Sequence, residues 1–258
     1  MIEAVAYLQR SVVKEAVAYF SAIVAAEVVT MFLHPLWGVI GHAVVMVTAV
    51  VCSARSDDRS HQRFILSLAL VPLVRVVDLS LSLSLLPVPT IGRFPIVYAP
   101  LAIASVALVR TLGYQWREVG LNFQSLPAQL GMASSGLVFG WVEYLILKPE
   151  PMIAQLTWSS VWPPALILLA FTGFTEEFAF RGVLQRGATG VFSGLGIVYV
   201  SALFAILHIG FHSLLDVVFV FGVAMFFGWA VKRTGSLLGV SLAHGLTNIM
   251  LFLVLPFT

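Results

Sequence analysis

Charge is what this sequence has least of. Only 10% of its 258 residues are Asp, Glu, Lys or Arg, against about 25% in a soluble globular domain. Hydrophobic residues make up 60%, and the mean hydropathy is +1.00. The excess is too large for a buried core and marks a polytopic membrane protein. Cysteine is nearly absent. Cys52 alone can form no intrachain disulfide and excludes a multi-cysteine metal site; in its apolar run it reads as a small buried hydrophobe. The formal net charge of +2 comes with no aromatic-laced basic patch, so nothing points to nucleic acid. There is no hydrophilic domain, internal repeat or low-complexity segment. The opening MIEAVAYLQRSVVKEAV does not read as a cleavable signal, because Lys14 and Glu15 interrupt it.

What is present is a series of long apolar runs. A helix needs about 20 mostly apolar residues to cross a bilayer. The runs fall at about 15–33, 36–54, 64–86, 94–110, 127–147, 161–186, 192–210, 214–231 and 236–256, with ends uncertain by ~2–4 residues. The expected architecture is therefore all-α, a transmembrane helix bundle of eight or nine spans. Eight would result if one pair forms a re-entrant hairpin. With the N-terminus inside, ten of the fourteen Lys and Arg fall in inner segments, two (Arg93 and Lys148) in outer ones, and two (Arg75 and Arg181) within spans. That bias is what the positive-inside rule expects. It puts the N-terminus in the cytoplasm and the C-terminus outside, in the cell (inner) membrane if the source is prokaryotic. The connector YQWREVGLNFQS sets aromatic rings beside charges and is expected at the interface. It divides a first part, 1–125, from a second, 126–258, within a single membrane domain. Gly136 and Gly140 form a GxxxG, a packing device without chemistry of its own.

Ionisable groups inside spans are costly and tend to mark function. Several have a plainer reading. Glu27 and His42 suit polar contacts inside the bundle. Arg75 and Asp78 are three apart on one helix and suit an ion pair. Glu143 lies near an outer end, where it can snorkel. Asp216 opens the eighth span, where a carboxylate favours the helix N-terminus, and His212 falls in a short outer turn.

Three sets remain, all in the last hundred residues. In GFTEEFAFRG, Glu177 and Arg181 are four apart and suit an ion pair, while Glu176 is rotated by about 100° on an α-helix. This leaves Glu176 free to face a cavity, where a poorly solvated carboxylate suits a general base. Phe204 and His208 are also four apart, so the ring can pack along the imidazole. His244 and Asn248 repeat that spacing and could donate two hydrogen bonds to one developing oxyanion. At ~1.5 Å per residue, Glu176 and His244 lie at matching depths, ~15 and ~12 Å from the inner face. His208 matches only if its helix tilts or begins near Gly196.

The segments TEEFAFRGVLQ, FAILHI and KRTGSLLGVSLAHGLTN together resemble the EExxxR, FxxxH and HxxxN motifs of the CAAX protease and bacteriocin-processing family (CPBP, or Abi-type, proteins). The match runs from about Phe171 to Met250, with all motifs in order. The resemblance implies an intramembrane endopeptidase. Glu176 and His208 would activate the hydrolytic water, His244 and Asn248 would stabilise the oxyanion, and Glu177, Arg181 and Phe204 would support the site. Expected partners are the lipid bilayer and a membrane-protein, lipidated or peptide substrate. No cofactor is implied by a glutamate-activated water. Zinc held by Glu176, His208 and His244 is the alternative, for a family often described as metalloproteases, although HExxH is absent. A different class of reading is a transporter or scaffold that uses Arg75, Asp78 and the buried acids; the lack of internal repeats speaks against it.

Overall fold

Proline, glycine and a few capping side chains set the ends of the helices in the computed structural model, which describes residues 2–83 and 88–258. Among these residues there are nine helical rods and no strand. α1 is Ile2–Phe32 and α2 Pro35–Ala54. His34 caps α2 by accepting from the Leu36 N–H, and Pro35 takes a first-turn position where its missing N–H costs nothing. α3 runs as Arg59–Leu68 and Leu70–Leu83. Asp58 caps it, accepting from the Ser60 and His61 N–H groups, so the helix begins in what the sequence reads as a polar connector. Its break at Ala69 has a cause in Pro72, which has no N–H to return to Leu68.

The remaining rods are α4 (Thr90–Thr111), α5 (Leu126–Leu147), α6 (from Trp158–Ile167 to Gln185–Phe192), α7 (Leu195–Ile206), α8 (Leu214–Thr234) and α9 (Leu238–Ile249, continuing to Phe257). Six are long and apolar enough to cross a membrane: α2, α3, α4, α5, α8 and α9 with its extension. The 195–211 helix is apolar but shorter. The rods follow the nine apolar runs in order. The protein is an integral membrane protein built as a polytopic helical bundle.

The basic segments meet at one end of the bundle. There Arg63 donates to the Leu112 carbonyl, and Arg186 pairs with Glu118 at 2.9 Å. The Ser236 hydroxyl donates to the Asn122 carbonyl, and the Leu237 N–H to the Gly120 carbonyl. Gly120 sits at φ +82° with Leu237 against it, a position only glycine accepts readily. The N–H of Gln115 and then the Arg186 guanidinium hold the Glu118 carboxyl below its usual range. At the opposite end the Met152 N–H donates to the Phe252 carbonyl.

The GxxxG of α5 is the seam against α9. A Cβ on Gly136 would strike the Ala243 carbonyl oxygen, and one on Gly140 would come within 2.6 Å of Met250 Cβ. Thr247 stitches the same seam by donating to the Gly136 carbonyl. Gly173 of α6 faces Gly245 of α9 just as closely, with a Gly173 Cβ 2.8 Å from the Gly245 nitrogen. These bare contacts bring α9 against both α5 and α6.

Candidate active site

α6 is not a uniform α-helix where its acids lie. Leu168–Phe174 and Phe178–Leu184 are π-helical and flank a single α-turn, Thr175–Glu177. Such i→i+5 segments are rare and occur often at functional sites. Thr172 and Thr175 return their hydroxyls to the carbonyls of Leu168 and Ala170. A further π segment, Met250–Val254, follows Asn248 on α9.

The two adjacent glutamates have different surroundings. Glu177 is fully buried, and its Oε1 accepts from Arg181 Nη1 at 3.0 Å and from His244 Nδ1 at 2.9 Å. The Glu177–Arg181 pair is the one the spacing suggests. The bond to His244 was not legible, because it joins two helices 67 residues apart. Glu176 instead lines a cavity of about 390 Å³ together with Tyr98, with Oε2 4.0 Å from His244 Nε2. The His244 ring therefore lies between the two carboxyls. Arg181 is capped on its other side by Phe204, with its guanidinium carbon 4.2 Å from the ring centroid.

His208 reaches the cavity by a route that differs from a continuous span. α7 starts at Leu195, close to the Gly196 start that its depth requires, and its α-helix ends at Ile206. His208 is in the turn that follows, at φ −91° and ψ 0°. Its Nδ1 lies 2.9 Å from the Phe204 carbonyl oxygen. A carbonyl only accepts, so Nδ1 carries the hydrogen and Nε2 keeps its lone pair. Phe204 packs on His208 at 5.1 Å and edge-on to His244 at 6.0 Å, which makes it the hub of the site.

Asn248 also lines the cavity and donates through Nδ2 to the Thr172 hydroxyl at 2.9 Å. Glu176, His208, His244 and Asn248 thus come from three rods into one cavity. Among the described residues, no group of three or more His, Cys, Asp or Glu side chains is arranged to hold a metal ion. Glu176, His208 and His244 do not fit a zinc site as they stand.

Several residues bordering the cavity have no catalytic role in the sequence reading. Glu143 does not snorkel. It is 7% exposed and lines both the main cavity and a small one behind His244. The signal was available: Gly136, Gly140 and Glu143 lie on one face of α5, the face that meets α9. Tyr98 gave no signal beyond being a polar-tipped aromatic within a span. Arg75, Asp78 and Arg93 border the cavity too. Arg75 holds Glu27 with two bonds, Nε–Oε1 2.5 Å and Nη2–Oε2 2.8 Å, and reaches Asp78 at 3.0 Å. His42 Nε2 lies 3.1 Å from Glu27, so Glu27 and His42 are bundle-interior partners as their isolation in apolar spans suggests. Asp216 is fully buried in the first turn of α8 behind its Ser213 cap, and His212 is exposed.

No curated protein and no solved structure matches the chain. A family model does: residues 157–250 match that of the type II CAAX prenyl endopeptidase Rce1-like proteins. The matched segment carries Glu176, His208, His244 and Asn248, and it is the same part of the chain whose three motifs resemble the CAAX protease family.

Proposed function

We propose that the protein is an intramembrane endopeptidase that cleaves a peptide bond near the membrane-associated end of its substrate. The observation that carries this reading is the convergence of Glu176, His208, His244 and Asn248 on one cavity. Glu176 takes a proton from water, His208 Nε2 accepts a hydrogen bond that orients it, and the oxygen attacks the scissile carbonyl. The tetrahedral oxyanion then receives hydrogen bonds from His244 Nε2–H and the Asn248 amide. Glu176 finally passes its proton to the leaving amine.

Charge balance supports these roles. In a poorly solvated site a neutral cluster is far less costly than a charged one. Arg181 and Glu177 cancel. Glu176 and His244 cancel in turn, either as neutral acid and imidazole or as carboxylate and imidazolium. The two forms hold the same protons and differ only in whether one of them sits on Glu176 or on His244. The second supplies both the base and the Nε2–H donor, with Glu177 as counter-ion on Nδ1.

The test compares membrane protein termini in cells carrying wild-type protein with those carrying Glu176→Gln at equal abundance. A substrate whose terminus depends on Glu176 is expected. Unchanged turnover in Glu176→Gln would sink the proposal.

A further inference from the structure

The cavity is not centred in the bundle. Its lining includes Asp78, Thr90, Arg93, Met152, Phe211 and Phe252. All six lie at or near the end where Met152 bonds to Phe252. Among the described residues, no lining residue comes from the basic end, where Arg63, Glu118, Arg186 and Ser236 make their contacts. Helix rise gives the same result. Phe252 stands fourteen residues along α9 from Leu238, ~21 Å from the basic end, and Arg93 stands seventeen residues from Arg110, ~26 Å. Glu176 and His244 form the deep wall, and the cavity extends from them away from the basic end.

The distribution of positive charge assigns those ends to membrane faces. Lys and Arg gather on the cytoplasmic side of membrane proteins, and ten of the fourteen lie in segments of the basic end. Granting that the chain is a peptidase, we propose that its active site is entered from the extracytoplasmic face. The substrate class is then a membrane-anchored polypeptide whose scissile bond lies at or just inside the outer boundary of the bilayer. A tail lipidated and presented on the cytoplasmic side does not reach this site. The mouth suits such a segment. Asp78 and Arg93 are about one-third exposed and admit water to a hydrolytic site. Phe94, Phe211, Phe252 and Met152 offer apolar walls to the residues that flank the bond.

Cys52 is the sole thiol, so a Cys52→Ala chain gives a blank background. Thr90→Cys places a thiol at the mouth, and Asp57→Cys places one at the basic end. Each is exposed to a membrane-impermeant maleimide in right-side-out and inside-out membrane vesicles. Thr90→Cys is expected to label only in right-side-out vesicles, with loss of Glu176-dependent cleavage, and Asp57→Cys only in inside-out ones. The Glu176-dependent termini should lie in extracytoplasmic segments. Labelling of Thr90→Cys only from the inside-out face, or termini in cytoplasmic segments, would overturn the proposal. Absence of any Glu176-dependent terminus would instead overturn the peptidase reading, while the labelling pattern still reports which face the mouth serves.

Discussion

Two arginines within this bundle, Arg181 buried and Arg75 partly buried, each pair with a buried glutamate that a histidine faces, and both networks border the same cavity. In the first, Arg75 grips Glu27 with two nitrogens and Asp78 with the third, and His42 faces the Glu27 carboxylate. In the second, Arg181 takes only one oxygen of Glu177, and that same oxygen accepts from His244. Glu176 remains beside them without a guanidinium of its own. The first network uses its ions on one another. The second uses one acid to hold an arginine and an imidazole, which leaves the other acid and His244 Nε2 turned to the cavity. Similar residue types, with the second acid placed differently, thus separate a clamp from a site that can do chemistry.

The sharpest way to break this comparison is to neutralise one acid in each network. Glu176→Gln should lower turnover by about 10²–10⁴-fold, the usual contribution of a general base, with little loss of fold. Asp78→Asn should leave turnover near wild type, since Asp78 closes a clamp. Terminus-specific proteomics measures both. A large loss in Asp78→Asn together with substrate uptake that depends on it would bring back the transport reading.

Removing the arginines comes next. Leaving a buried carboxylate without its partner costs about 3–5 kcal/mol, so Arg75→Leu and Arg181→Leu should both lower the thermal midpoint in detergent. The networks should part when both partners are replaced. Glu27→Gln with Arg75→Met should recover stability and turnover together, because an apolar or neutral replacement of a buried pair is often tolerated. Glu177→Gln with Arg181→Met should recover stability alone, because His244 loses its counter-ion.

Much of this contrast was legible in the sequence. The Glu177–Arg181 spacing survives in the structure even though π-helical turns flank it, and the nine apolar runs anticipate the nine rods. His208 was read as part of a long span, but α7 ends two residues before it, and a backbone carbonyl fixes its tautomer. What could not be read are contacts between helices far apart in the chain: His244 with Glu177 and Asn248 with Thr172. Spacing constrains the face of one helix. It does not say which helix will lie opposite. The exceptions were the glycines, where a missing side chain announces a close neighbour, and the Gly136–Gly140–Glu143 stripe points Glu143 inward by the same logic.

Gly173→Ala tests how far the second network depends on that closeness. The added Cβ would lie 2.6 Å from the Ser241 carbonyl oxygen, a backbone atom that cannot swing aside. Overpacking of this kind costs typically 1–3 kcal/mol. Because Gly173 is one turn from Glu176 and faces the residue after His244, turnover should fall while the Arg75 network keeps its stability contribution. If thermal stability drops but turnover per folded molecule does not, the seam is structural only.

The smallest effect belongs to a pair outside both networks. Arg186 and Glu118 meet at 2.9 Å at the basic end, but their side chains are 48% and 37% exposed. Solvent screening keeps such pairs at about 0–1 kcal/mol, so Arg186→Gln should barely shift the thermal midpoint and leave turnover unchanged. Its pH dependence has a definite sign. The Gln115 N–H and Arg186 hold the folded Glu118 carboxyl below its usual range, so their stabilisation is present above the unfolded value, about 4.3, and fades as pH falls through the lower folded one. Any difference between Arg186→Gln and wild type should therefore shrink on acidification, and also with added salt. A difference that persists in acid and high salt would mean that Arg186 acts through packing of its stem rather than through its charge, unlike Arg75 and Arg181.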